Sequence, residues 1–207
     1  ERAVTQLGMK GALINSHTKG EFLDESRYGI ILAKAQELDV PIYLHPRVPA
    51  PDMVKPFQKY FGLEAAAFGF PIDASLHALR LILSGVFDDY PRLKIVLGHM
   101  GEGLPFWLPR IDKKIALFQG IQPPERKLEK PPSQYFLDNF HITTSGMNYE
   151  APLKLAHEVV GPDRILFAVD YPFEEAEEPV RVVDGAPVSD EDKRKIYQLN
   201  AERLFRL

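Results

Sequence analysis

Apolar residues in this chain gather into short runs separated by longer stretches of helical spacing. Five runs stand out: Gly11-Ala12-Leu13-Ile14-Asn15, Pro41-Ile42-Tyr43-Leu44-His45, Lys94-Ile95-Val96-Leu97-Gly98-His99, Phe140-His141-Ile142-Thr143-Thr144-Ser145 and Arg164-Ile165-Leu166-Phe167-Ala168-Val169-Asp170. Three of them are nearly continuous in apolar residues, the pattern of parallel strands covered on both faces. Each ends in a polar or titratable residue. Between them, Tyr28, Ile31, Leu32, Ala35 and Leu38 predict an amphipathic helix over residues 25–38. Asp73 is placed to cap a helix carrying Leu76, Leu79, Leu83 and Val86. Leu153, Leu155, Ala156 and Val159 predict another, with Gly161 as its stop. Ser189-x-x-Asp192 is a capping box for a last helix holding Ile196, Leu199, Leu204 and Phe205. Residues 46–72 and 122–133, rich in proline, read as loops, and residues 1–8 as a helix before the first strand.

Strands alternating with helices imply parallel βαβ units. An open doubly wound sheet and a barrel are the competing architectures. No Gly-x-Gly-x-x-Gly and no phosphate loop is present, which removes support from the nucleotide-binding open sheet. Titratable residues instead close several different strands, where barrel enzymes place their chemistry. The expected fold is an α/β, (β/α)8 TIM barrel, a single domain over residues 1–207 that contains about the last five βα units. The chain opens Glu1-Arg2-Ala3-Val4 as if in mid-helix, so the remaining strands are expected upstream.

Composition narrows the partners. There are 25 Lys and Arg against 29 Asp and Glu, a formal charge of −4, which argues against a nucleic-acid binder. No basic amphipathic stretch suits a membrane surface, and no apolar run reaches the length of a transmembrane helix. Cysteine is absent, which rules out a thiolate ligand or nucleophile and fits a reducing, cytoplasmic compartment.

His45, His99 and Asp170 each close a predicted strand. By itself, a histidine at a strand end is more often a hydrogen-bonded core residue than a ligand. Two imidazoles and a carboxylate converging at one barrel mouth are a plausible site for a divalent ion such as zinc or manganese. Phe57, Tyr60, Phe61, Phe68 and Phe70 in the 46–72 loop would give an aromatic substrate a stacking surface, or would pack the loop onto the barrel or a second subunit.

The segments Tyr43-Leu44-His45-Pro46-Arg47, Leu97-Gly98-His99-Met100-Gly101-Glu102, His141-Ile142-Thr143-Thr144-Ser145-Gly146 and Phe167-Ala168-Val169-Asp170-Tyr171-Pro172-Phe173-Glu174 resemble the amidohydrolase-related family. Within it the likeness is to the γ-resorcylate, 2,3-dihydroxybenzoate and 5-carboxyvanillate decarboxylases. Asn200-Ala201-Glu202-Arg203-Leu204-Phe205 resembles that family's last helix, so the likeness runs from about Gly8 to the C-terminus. The resemblance implies a carboxy-lyase using one divalent metal on a small aromatic carboxylate, assembled as a dimer or tetramer. It makes His45 and Asp170 metal ligands, Asp170 also the proton carrier, and His99 a catalytic partner oriented by Glu102. Arg47, Arg110 and Phe173 would hold the substrate.

One feature departs from the family. Its first strand carries Glu-x-His or His-x-His as metal ligands, and no such motif occurs here. His17 is the histidine best placed to substitute; His77, His141 and His157 read as packing or surface residues. Two rivals follow: a metal-dependent hydrolase of a lactone, ester or amide, in which Asp170 would act as base, and a non-catalytic barrel remnant serving as a binding or assembly subunit.

Overall fold

The computed structural model describes residues 1–124 and 126–207; Glu125, within the loop predicted at 122–133, lies outside the described residues. Five parallel strands pair in sequence order: β1 (Ala12–Asn15), β2 (Ile42–His45), β3 (Ile95–Leu97), β4 (Phe140–Thr143) and β5 (Ile165–Leu166). Each strand lies beside its predecessor, so the order never reverses. An open doubly wound sheet has such a reversal at its ligand crevice; a barrel wall has none. The α/β barrel expectation therefore agrees with the topology.

Pleating assigns the faces. Ile42, Leu44, Ile95, Leu97, Phe140, Ile142 and Ile165 are fully buried against the helices. The other face carries Leu13, Tyr43, Val96 and His141 in one cross-strand row. After a short helical turn at Arg2–Thr5, the longer helices are α1 (Gly29–Leu38), α2 (Gly69–Leu83), α3 (Leu104–Ile121), α4 (Pro132–Asn139), α5 (Glu150–Val160), α6 (Glu177–Gly185), α7 (Asp190–Arg194) and α8 (Asn200–Phe205), with a π-turn at Lys195–Leu199 joining the last two. Among the described residues no helix is long and apolar enough to cross a membrane.

An aromatic cluster fills the core where α4 packs on β4. Phe140 stacks on Phe136 at 5.0 Å and meets Phe87 edge-on at 5.3 Å. Two asparagines tie strand entries together. Asn139 donates to the carbonyls of Pro91 and Leu93 at 3.1 and 2.8 Å. Asn200 donates to those of Pro162 and Ile165 at 2.7 and 2.8 Å, fastening the C-terminal helix under β5.

Five expectations need correction. The fifth strand stops at Leu166, because the next backbone groups find other partners: Phe167 N–H donates to Ile196 O, and Ala168 exchanges both its backbone bonds with the Thr144 hydroxyl. Asp73 caps nothing. The helix begins at Gly69, where the chain folds back so tightly that a Cβ would stand 2.2 Å from the Glu64 carbonyl oxygen, and Asp73 is left inside α2, fully buried. Val86 belongs to a separate turn, Val86–Asp89, beyond Gly85. The 46–72 loop contains helical turns at Pro51–Val54 and Phe57–Lys59. The capping box is present in one half: Ser189 Oγ accepts from Asp192 N–H at 3.1 Å, while the Asp192 carboxylate turns to His157.

His77 lies wholly inside this core. Leu23 N–H donates to its Nε2 at 2.9 Å, and Nδ1 meets Ser16 Oγ at 3.1 Å, an arrangement that needs a neutral ring. Burial pushes its pKa from 6.5 down to about 4. The unfolded chain therefore binds this proton below about pH 6.5 and the folded one only below about pH 4, so stability is full above 6.5 and falls as pH drops toward 4. A loss of about 3 kcal/mol is expected from this residue, read by urea unfolding across that range and absent in His77→Gln. In the same assay Phe140→Ala is expected to cost about 3–5 kcal/mol, and the fully exposed Phe61→Ala to stay within about 0.5 kcal/mol.

Candidate active site

The chain leaves β3 through Gly98 into a backbone that right-handed structure avoids. His99, Met100, Gly101, Glu102 and Gly103 all have positive φ, at 48°, 53°, 77°, 53° and 76°. For the non-glycine residues this left-handed conformation costs roughly 1–2 kcal/mol each. It is held by Gly101 N–H donating to Gly98 O at 2.7 Å and by packing of Gly101 against Ile142, Phe136 and Pro105.

The turn brings residues three apart onto one side. His99 Nδ1 donates to Glu102 Oε1 at 2.6 Å, and the Glu102 side chain is fully buried. On the ring's other side, His99 Nε2 stands 3.7 Å from Asp170 Oδ2. Carboxylate, imidazole and carboxylate thus form a line from the interior to the rim. Burial works against the charged ring. The Glu102 hydrogen bond, reinforced by the charges of Glu102 and Asp170, outweighs it and raises His99 above its ordinary range.

Asp170 lies four residues beyond β5 and also has positive φ, at 74°. Its carbonyl accepts from Phe173 N–H at 2.9 Å and Glu174 N–H at 3.2 Å, closing a turn that fixes the strained residue. Behind His99 runs a hydroxyl chain from Tyr43 to Thr143 at 3.4 Å and on to Ser145 at 2.7 Å. Burial pushes the Tyr43 phenol above its usual pKa. A cavity of about 100 Å³ opens on this line, lined by His99, Asp170, Glu174 and Met147 and by Phe70 and Pro71 from the first turn of α2.

The sequence-predicted residues divide. His99, Glu102 and Asp170 come together. His45 closes β2 on the same end of the sheet but does not line this cavity; its Nδ1 donates to Pro46 O at 2.7 Å, which leaves Nε2 free. Arg47 is exposed and donates to the His17 carbonyl at 3.1 Å. Arg110 lines a separate cavity of about 400 Å³ between α2 and α3, shared with Glu102 and Trp107. Phe173 is 85% exposed. Of the loop aromatics Phe70 alone lines the cavity, while Phe61 is fully exposed. His17 is buried with both nitrogens engaged, Nε2 on Val48 O and Nδ1 accepting from Gly20 N–H, so its substitution for a first-strand ligand is not supported. Among the described residues no cluster of three or more His, Cys, Asp or Glu side chains stands at metal-binding spacing.

Sequence reasoning missed the contributions of Glu174, Met147 and the Tyr43–Thr143–Ser145 chain. For Tyr43 and Thr143 the signal existed: both fall on the face opposite the apolar helix-packing residues.

Comparison with known proteins gives this geometry a context. The family described as amidohydrolase matches residues 1–207. The γ-resorcylate decarboxylase of Rhizobium sp. is 39% identical, over all of this chain and 64% of its own length. The crystal structure of 5-carboxyvanillate decarboxylase from Sphingomonas paucimobilis superposes with a TM-score of 0.95 at 39% identity, covering 100% of this chain and 61% of that one. A 5-carboxyvanillate decarboxylase structure from Novosphingobium aromaticivorans, 40% identical with a TM-score of 0.95 and 59% of its chain covered, holds manganese and 4-hydroxy-3-methoxy-5-nitrobenzoic acid. The chain spans less than two thirds of the length of these relatives. Its sequence match over every residue and its sequentially ordered parallel sheet place it in the amidohydrolase family.

Proposed function

We propose that this chain carries the proton-transfer side of a metal-dependent, non-oxidative decarboxylase acting on a hydroxylated aromatic acid. The observation that carries the reading is the Glu102–His99–Asp170 line at the strand ends, in a chain 39% identical to a γ-resorcylate decarboxylase. The reaction needs a proton delivered to the ring carbon bearing the carboxylate. Asp170, in its acid form, donates it over the ring face. The C–C bond then breaks, CO₂ leaves, and the bonding pair returns to the ring to restore aromaticity. His99, on the far side of Asp170 and hydrogen-bonded to Glu102, which favours its charged form, resupplies the proton. The product is the phenol with hydrogen in place of the carboxylate.

The residues fit a divalent ion in kind. A ligating histidine commonly donates its second ring nitrogen to a carbonyl, as His45 does to Pro46, and Asp170 offers a half-exposed carboxylate at the mouth. His45 and Asp170 would hold the ion, manganese or zinc, as two of its ligands. When bound, such an ion supplies Lewis-acid polarisation and orientation of the substrate carboxylate and phenolate. The exposed apolar residues of α3, Phe106, Trp107, Leu117, Phe118 and Ile121, support assembly as a homo-oligomer. We place the protein in the cytoplasm.

The metal-loaded full-length protein is expected to release CO₂ from γ-resorcylate or 5-carboxyvanillate, with the phenol followed by chromatography. Asp170→Asn is expected to lower kcat by about 10²–10⁴-fold. Turnover of aryl lactones without CO₂ release would shift the reading to the hydrolase rival. Gly146 tests the positioning of His99. Its φ is +63°, and an added Cβ would stand 2.9 Å from His99 Cδ2 and 3.6 Å from Asp170 Oδ2. Gly146→Ala is expected to displace the ring and lower kcat on the order of 10²-fold; an unchanged kcat would show that the His99 position does not matter.

A further inference from the structure

Asp73 sits on the buried face of α2, between Gly69 and His77, and its side chain is wholly enclosed by residues of this chain. A carboxylate in such a place is costly unless its surroundings compensate it. Among the described residues neither oxygen makes a direct hydrogen bond. The groups that face them are the Ser16 hydroxyl, His17 Nε2 at 4.0 Å and the main-chain N–H of Arg47, and the Arg47 guanidinium adds its charge. Burial pushes the carboxyl above its usual range, and these neighbours hold it back.

All of these groups belong to strand ends. Ser16 and His17 follow β1 and Arg47 follows β2, in a register that pairs Asn15 with His45. Two further bonds lace the ends together: Arg47 Nη1 donates to His17 O at 3.1 Å, and His17 Nε2 to Val48 O at 3.1 Å. The peptide between Pro46 and Arg47 connects Asp73 to the candidate site. Its N–H faces the Asp73 carboxyl. Its C=O points the opposite way, because the peptide is trans, and accepts from His45 Nδ1 at 2.7 Å. A carboxylate at the N–H end of a peptide dipole strengthens the carbonyl at the other end as an acceptor, most of all in a low-dielectric interior.

We infer that Asp73 is a positioning residue for His45: through the Pro46–Arg47 peptide it keeps the proton on Nδ1 and leaves Nε2 free for the divalent ion. The arrangement is a carboxylate–histidine pair with one peptide group between the partners. It rests on the proposed reading of His45 as a metal ligand.

The test is a manganese titration of the full-length protein, followed by electron paramagnetic resonance, beside urea unfolding of the same variants. Asp73→Leu removes the charge and keeps the volume. Manganese affinity is expected to fall about 10–100-fold, while the unfolding midpoint holds or rises because an apolar side chain replaces an enclosed carboxylate. Asp73→Asn keeps an acceptor for the Arg47 N–H and is expected to recover part of the affinity. In the metal-free variants the ring nitrogen shifts of His45 are expected to move away from the Nδ1–H tautomer. Affinity unchanged in both variants, or falling only in step with stability, overturns the inference. If the leucine variant does not fold, the asparagine variant decides, and an affinity equal to that of the unaltered protein overturns it. His45→Ala separates the inference from the reading beneath it. Manganese affinity untouched by that substitution would remove His45 as a ligand; a loss there, with none in either Asp73 variant, overturns the role of Asp73 alone.

Discussion

The left-handed turn from His99 to Gly103 is the constraint on which the rest of the site depends. Five successive positive φ values are an expensive way to leave a strand, and two glycines lower the cost only in part. In a right-handed turn the backbone would follow a different path, and the 2.6 Å contact between His99 and Glu102 would have to be rebuilt. The strain is balanced locally. Gly101 fits against Ile142 and Phe136, so the same core that supports β4 also presses the turn into shape. Core packing and the geometry of the His99–Glu102 pair therefore share residues.

A second conformational cost sits across the mouth at Asp170. Neither strained residue is stabilised by the other's backbone. They meet only through side chains, at 3.7 Å. That separation exceeds a hydrogen bond, and it suits the proton exchange proposed for the pair. Glu102, buried and fixed, sets the charge on one side; Asp170, partly exposed, faces the cavity on the other.

Much of this was legible in the sequence, for identifiable reasons. Strands β1 to β4 fall within the apolar runs, and β3 and β4, almost wholly buried, have little freedom in composition. The His99–Glu102 pair was readable from its spacing and its flanking glycines. The fifth strand was overextended because Phe167 to Val169 look like strand, and no local pattern reveals that a threonine hydroxyl and a distant backbone carbonyl take their hydrogen bonds. Asp73 resembled a cap because the helix starts one turn earlier, at the tight fold-back of Gly69 on the Glu64 carbonyl, which the apolar spacing does not mark. His17 looked available because its position at a strand end was visible and its two hydrogen bonds were not.

The clamp between Thr144 and Ala168 also bears on how such a protein can change. A single hydroxyl holds both backbone groups of the residue two places before Asp170, and the ladder has already ended at Leu166. Residues added or removed after Asp170 fall beyond that fixed point, so they leave the strand register untouched. The segment carrying Tyr171, Phe173 and Glu174 can vary in length and character while the acid stays anchored. Diversification of the rim is in this way separated from inheritance of the proposed proton donor.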